Sequence, residues 1–211
     1  IPSEIGFEGT QILERDFIYG IAEMIGVCGP EKNIDGYISG GGTDGNYHGL
    51  WLASNMLWQE RKTSRFRQKG IVVLHSFLFH YSLEKAFWQL LVDVNEPPEM
   101  RRGIINRLPT NEQGELTPEI LKERITQYYQ KGYRQFAVFL TAGTINLGSI
   151  DQIEDINTVL ERLKRELGIA ATIHVDAAFG GFVIPFVEPN CHFAFQNSLV
   201  NSVSLDAHKT G

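Results

Sequence analysis

Thr172-Ile173-His174-Val175-Asp176-Ala177-Ala178 decides how this chain is read. Thr172 to Val175 has the composition of a strand, and the strand runs straight into a carboxylate. A carboxylate at the end of a buried strand costs desolvation free energy unless something pairs with it. Two readings are open for Asp176. It caps a helix or closes a salt bridge, or it partners a buried cation such as a protonated ring nitrogen.

Outward from that stretch, strands and helices alternate. Ile153, Ile156, Leu160, Leu163 and Leu167 recur at helical spacing behind Asp151, which reads as the cap of that helix. Phe136 to Leu140 and Ile71 to Leu74 are continuous apolar runs, as expected of strands buried on both faces. Thr117-Pro118-Glu119 is a helix start, with a Thr cap, Pro in the first turn and a carboxylate near the positive end. Further helical periods cover 7–27, 45–61 and 80–91. Ile12, Leu13, Phe17, Ile18, Ile21 and Ile25 mark the first; Tyr47, Leu50, Trp51, Leu57 and Trp58 are expected to share one face of the second. Tyr37-Ile38 reads as a very short first strand and Asn201 to Leu205 as a weaker last one, while 95–115, rich in Pro, Asn, Arg and Gly, reads as a loop or edge region. Strands separated by amphipathic helices predict an α/β fold with a mainly parallel sheet flanked by helices.

Bulk properties narrow the function classes. The chain has 211 residues, 43% hydrophobic and 21% charged, with a formal net charge of −6. One domain spanning 1–211 is the expectation at this length. The acidic balance argues against nucleic acid or an anionic membrane as partner, and no apolar run approaches the ~18 residues of a membrane span. The two cysteines, Cys28 and Cys191, have no metal-ligand spacing, so no metal is expected and a reducing, cytoplasmic setting is the simpler reading. IPSEIGFEGTQ at the start has no signal-peptide pattern, and Lys209-Thr210-Gly211 does not read as a natural finish.

Glycine is the informative count, at 21 residues, with Gly40, Gly41, Gly42, Gly45 and Gly49 in one stretch. Clustered glycine points to close approach of the backbone to something. The chemically loaded turns each follow an expected strand: Gly40 to Gly45, His75 to His80, Thr141 to Thr144, Asp176 to Ala178, and Asp206 to Lys209. Ligands of open parallel sheets bind outside the carboxyl ends of the strands, so these turns are expected to converge on one crevice. The glycine turn opens a helix, whose free amides and positive dipole end suit a phosphate. It is neither a Walker loop nor a complete dinucleotide fingerprint. Lys209, next to His208, is either a solvated lysine or an amine nucleophile for an aldehyde. His80 is a packing histidine or a ring that stacks on a flat ligand. A phosphate site, a carboxylate for a cationic nitrogen, a stacking ring and a lysine amine together describe pyridoxal 5′-phosphate.

GGGTDGN at 40–46, HSFLFHYSLEKA at 75–86, TAGTINLGSID at 141–151, HVDAAFGGFVIPF at 174–186 and SLDAHKTG at 204–211 resemble, in order, the pyridoxal-phosphate-dependent amino-acid decarboxylase family, the group with glutamate, aromatic-amino-acid, histidine and archaeal tyrosine/aspartate decarboxylases. The resemblance implies the large domain of the fold-type I pyridoxal-phosphate transferase fold, incomplete at both ends and without the small C-terminal domain. It implies that Gly42, Thr43 and Asp44 hold the cofactor phosphate, with Ser204 and His208 also contacting it. It implies that His80 stacks on the ring, Thr144 lies at the ring edge, Asp176 pairs with the ring nitrogen and Ala178 packs on the opposite ring face. Lys209 would form the internal aldimine. Two positions depart from the family pattern: Asp44-Gly45 stands where Glu-Ala is common, and Ile145 where a second Thr is frequent.

The activity so implied is decarboxylation of an L-amino acid to a primary amine and CO₂, by a cytoplasmic homodimer. The alternatives are a carbon–carbon lyase of the sphingosine-phosphate lyase type, a nicotinamide-dependent oxidoreductase suggested by the glycine turn alone, and a non-catalytic ligand-binding domain.

Overall fold

Among the described residues five strands form one sheet: β1 (Ile71–Ser76), β2 (Gly103–Leu108), β3 (Gln135–Thr141), β4 (Ala170–Ala177) and β5 (Val200–Leu205). They lie in the order β2-β1-β3-β4-β5, and every neighbouring pair is parallel. The structure is a computed structural model and describes residues 7–27, 34–63, 69–92 and 103–210. Among the described residues seven helices accompany the strands: α1 (Glu8–Met24), α2 (Gly42–Thr63), α3 (Ser82–Leu90), α4 (Pro118–Gln130), α5 (Ile153–Leu167), and the short α6 (Ile184–Val187) and α7 (Ala207–Thr210). The expected mainly parallel, helix-flanked sheet is what the chain forms.

Strand periodicity explains the layers. Along β3, Phe136, Val138 and Leu140 enter one core with Leu121 and Ile125 of α4 and Ile156 and Leu160 of α5. Ala137 and Phe139 enter the other with Leu50, Ala53 and Leu57 of α2 and Leu83 and Phe87 of α3. Alternate residues of one strand point to opposite faces, so a run that is apolar throughout needs a helix layer on each side. Leaving β1, the chain pairs β2 on one side and then crosses to β3 on the other. The sheet therefore reverses direction between β1 and β3, where a crevice opens at the carboxyl ends.

The structure corrects four readings. Tyr37-Ile38 is not a strand: residues 34–39 have no regular structure, and both side chains are exposed. The fifth strand is instead β2, inside the stretch read as loop or edge, and it occupies the sheet edge. Thr117 stands at the N-cap of α4, with Pro118 opening the helix, but its hydroxyl makes no capping bond. Asp151 does not cap α5, whose N-cap is Gln152. Its buried carboxylate instead accepts the backbone N–H groups of Leu116 (2.7 Å) and Thr141 (2.7 Å), tying the end of β3 to the approach of α4. On α2, Leu50 and Leu57 are buried but Trp51 is half exposed, so the five expected residues do not share one face.

Candidate active site

β4 presents different chemistry to each side. Ile173, Val175 and Ala177 enter the apolar core, which leaves Thr172, His174 and Asp176 for the face toward α2. All three are buried. Polar groups buried there need partners, and α2 supplies them because it lies unusually close. A Cβ at Gly49 would stand 2.4 Å from His174 Nδ1, and one at Gly45 would stand 2.6 Å from Ser204 Oγ. The close approach suggested by the clustered glycines is, at these two positions, to β4 and β5.

That proximity carries Asn46 to the carboxylate. Asn46 Nδ2 donates to Asp176 Oδ2 (2.7 Å) and to Ser82 Oγ (2.9 Å). The other oxygen, Asp176 Oδ1, accepts the Ala178 N–H (3.1 Å). Ser82 Oγ is 2.8 Å from His80 Nδ1, so the hydroxyl that accepts from Asn46 can donate to His80. His174 Nε2 lies 3.0 Å from Asn46 Oδ1 and its Nδ1 lies 2.8 Å from Ser202 Oγ. Complete burial pushes the His174 pKa down to about 4, so the ring is neutral near neutral pH.

Asn46, His80, Asp176 and Ala178 line a cleft of about 570 Å³ at the carboxyl ends of the strands. Of the residues expected at the site, Gly42, Thr43, His80, Thr144, Asp176, Ala178, His208 and Lys209 line it together. Thr144 is fixed by its own loop, its Oγ1 2.7 Å from Ser149 Oγ and accepting the Ser149 N–H. Lys209 Nζ sits over the Phe179 ring, 4.8 Å from its centre, and 3.8 Å from Asp206 Oδ2. Asp206 also accepts from His208 (2.5 Å). Two expected residues stand apart from the lining. The Asp44 carboxylate faces Tyr37 and His48 and its amide donates to Gly41 O (2.9 Å). Burial and that carboxylate push the Tyr37 pKa up to about 12. Ser204 packs beneath Gly45, its Oγ 3.3 Å from His174 Nε2.

The far wall of the cleft holds a second charged group. Glu84 and Arg107 form a forked ion pair whose Nη2–Oε2 bond is 2.7 Å, and the guanidinium holds the Glu84 carboxyl below its ordinary value. Beneath them His75 is 2% exposed, with Nδ1 on Ser76 O and Nε2 3.9 Å from Glu84 Oε1 without a hydrogen bond, and burial lowers its pKa to about 4.

Sequence reasoning missed Asn46, Ser82 and His174. The available signal was the polar–apolar alternation of Thr172 to Asp176 set against Gly45 and Gly49, four apart on one helix face with Asn46 beside them.

Residues 10–211 match the pyridoxal-dependent decarboxylase conserved domain. The chain belongs to that family. Its relatives include a tryptophan decarboxylase of Clostridium sporogenes, 30% identical over 98% of this chain and 45% of its own length. A probable L-tyrosine/L-aspartate decarboxylase of Methanocella arvoryzae is 35% identical over 97% of this chain and 46% of its own. The chain thus spans about half the length of the curated relatives it matches. Among solved structures, a Lactobacillus brevis glutamate decarboxylase superposes with a TM-score of 0.77 at 19% identity, covering 98% of this chain and 44% of that one. A Burkholderia pseudomallei sphingosine-1-phosphate lyase superposes at 0.72 with 16% identity, over 95% and 42%. These likenesses establish a common fold and do not separate the two chemistries.

Pyridoxal phosphate is the cofactor of this decarboxylase family, and the cleft fits it. At the start of α2 the amides of Gly42 and Thr43 lack intrahelical acceptors, and Cβ atoms added at Gly40 or Gly41 would meet nothing within 4 Å. The backbone there is open to an anion. Asp176, buried and already holding two donors, offers a carboxylate to a ring nitrogen, and Lys209 brings a primary amine to the same cleft.

Proposed function

We propose that residues 1–211 are the coenzyme-binding large domain of an amino-acid decarboxylase that converts an L-amino acid to a primary amine and CO₂. The observation that carries this reading is the convergence of Asp176, Lys209 and the first turn of α2 on one cleft. Gly42 and Thr43 would bind the phosphate through backbone amides at the positive end of a 22-residue helix, and His208 lines the same cleft. Asp176 holds a proton on the ring nitrogen by charge pairing. His80, Ala178 and Thr144, which line the same cleft, would hold the ring. Lys209 presents its amine to the aldehyde. Asp206 and the Phe179 ring hold that amine in the cleft, at 3.8 Å and 4.8 Å.

Bound there, the coenzyme supplies an electron sink for the pair left on Cα when the carboxylate departs. The protein's part would be to keep the ring nitrogen protonated at Asp176 and to fix the ring in the cleft. The bond breaks heterolytically, CO₂ leaves, and a proton takes its place on Cα. We infer a homodimer working in the cytoplasm. Exposed Leu13 and Phe17 on α1, a helix whose apolar residues are mostly uncovered, support a protein partner; the low cysteine count supports the compartment.

The test uses the complete protein. Borohydride treatment of the pyridoxal phosphate-loaded protein is expected to abolish its visible absorption band and leave the added mass on Lys209. A product screen with candidate amino acids is expected to yield amine and CO₂. An unmodified Lys209, or an aldehyde product without CO₂, overturns the reading.

A further inference from the structure

Asp176 does not stand alone. Its orientation is set by a side chain 130 residues earlier in the chain, and that side chain has no freedom to do otherwise. We propose that Asn46 is a positioning residue: its carboxamide fixes the plane of the Asp176 carboxylate and, in the same act, holds His174 as the neutral Nε2–H tautomer and aims His80 into the cleft. The proposal rests on reading Asp176 as the partner of the coenzyme's ring nitrogen.

The direction of each hydrogen bond follows from inventory. Asn46 is 1% exposed, so its polar atoms have only protein partners. An ionised carboxylate accepts and cannot donate. The group within 2.7 Å of Asp176 Oδ2 must therefore be the NH₂ of Asn46, not its oxygen. This leaves Oδ1 facing His174 Nε2 at 3.0 Å, and an amide oxygen only accepts, so the proton of His174 is on Nε2. Nδ1 of the same ring then accepts the Ser202 hydroxyl at 2.8 Å. The second NH₂ proton of Asn46 goes to Ser82 Oγ (2.9 Å). That hydroxyl is left to donate to His80 Nδ1 (2.8 Å), which turns the Nε2–H edge of His80 outward from its own loop. One carboxamide thus serves the carboxylate and both histidines. With Asn46 on Oδ2 and the Ala178 amide on Oδ1, the carboxylate is held at two points and cannot rotate.

A packing role and a positioning role predict opposite orders for two variants. Asn46→Asp keeps the shape of the side chain but replaces the donor to Asp176 with a second acceptor, bringing two carboxyl groups into contact. Asn46→Ala removes the volume and leaves Asp176 merely without one donor. If Asn46 only fills space, N46D behaves better than N46A. If it positions the carboxylate, N46D is the worse of the two. The measurement is the equilibrium affinity of the complete apoprotein for pyridoxal phosphate, followed by fluorescence. We expect a weakening of about tenfold for N46A, equivalent to about 1.4 kcal/mol, and a greater weakening for N46D, with kcat reduced more than KM is changed in both. N46D binding as tightly as N46A, or more tightly, overturns the proposal.

A second measurement needs no variant. Long-range ¹H–¹⁵N spectra of the wild-type apoprotein are expected to show His174 as the Nε2–H tautomer. An Nδ1–H tautomer overturns the proposal, whatever the variants do. Asp176→Asn separates the two levels of inference. Wild-type coenzyme affinity and turnover in D176N sink the reading of Asp176 itself. An impaired D176N beside a normal N46D sinks only the role given to Asn46.

Discussion

Gly49→Ala asks whether α2 really is pressed against β4. The added Cβ would stand 2.4, 2.6 and 2.8 Å from Nδ1, Cε1 and Cγ of His174, about 1 Å inside the ~3.5 Å at which non-bonded atoms rest. The ring cannot give way, since it is 2% exposed and held at both nitrogens by Ser202 and Asn46. The helix must move out instead. Overpacking of this kind costs about 1–3 kcal/mol, while Ala in place of Gly inside a helix returns about 0.8–1 kcal/mol. Taking the middle of each range, the net expectation is a loss of about 1 kcal/mol, or roughly 2–4 °C in Tm for a chain of this size. Gly20→Ala is the matched control. Gly20 lies inside α1 with nothing within 4 Å of the added carbon, so the same substitution there is expected to raise Tm. Thermal melts of the two variants read the contrast directly. The outward shift of α2 also draws Asn46 from Asp176, so G49A, unlike G20A, is expected to bind pyridoxal phosphate less tightly. A G49A protein that melts at or above the wild-type temperature refutes the close packing, and with it the account of why this helix is rich in glycine.

Two further outcomes are expected. Burial lowers the His75 pKa from 6.5 to about 4. Below the ordinary value the unfolded chain takes up a proton that the folded chain refuses, so this contribution to stability is complete above about pH 6.5 and is lost as pH falls toward 4. One such group gives a slope of at most about 1.4 kcal/mol per pH unit, and His75→Phe is expected to flatten the acid limb of stability by that amount in urea titrations; an unchanged slope counts against the burial. Asp151→Ala leaves the amides of Leu116 and Thr141 buried without an acceptor, at about 1–3 kcal/mol each. It is expected to lower the urea midpoint more than G49A does, and a smaller effect would show that those amides find other partners.

The central strands were legible because their physics leaves a mark along the chain. β1, β3 and β4 are buried on both faces, so they appear as continuous or tightly alternating runs between helical periods. β2 was not, because an edge strand has a neighbour on one side only and tolerates Asn106 and Arg107 in its middle. Tyr37-Ile38 misled for the opposite reason: two apolar residues before a glycine turn look like a strand end, yet both stay largely exposed. At the site, Asp176 and Lys209 stood out because a carboxylate or an amine at a strand end is costly and needs a reason. Asn46 carries no such warning. A neutral amide on a helix is ordinary, and its meaning depends on an acceptor far along the sequence.

That separation has a consequence for biosynthesis. Asn46 leaves the ribosome 130 residues before Asp176, an interval of roughly 6–26 s at ~5–20 residues per second. Throughout it, the glycine-bearing face of α2 has no β4 to close on. The glycine turn is translated well before Asp176 and Lys209, so on the proposed reading the emerging polypeptide lacks part of the cofactor site until β4 and β5 have joined the sheet. Any lesion that delays docking of β4 onto α2 should therefore appear first as cofactor-free protein and only later as aggregation.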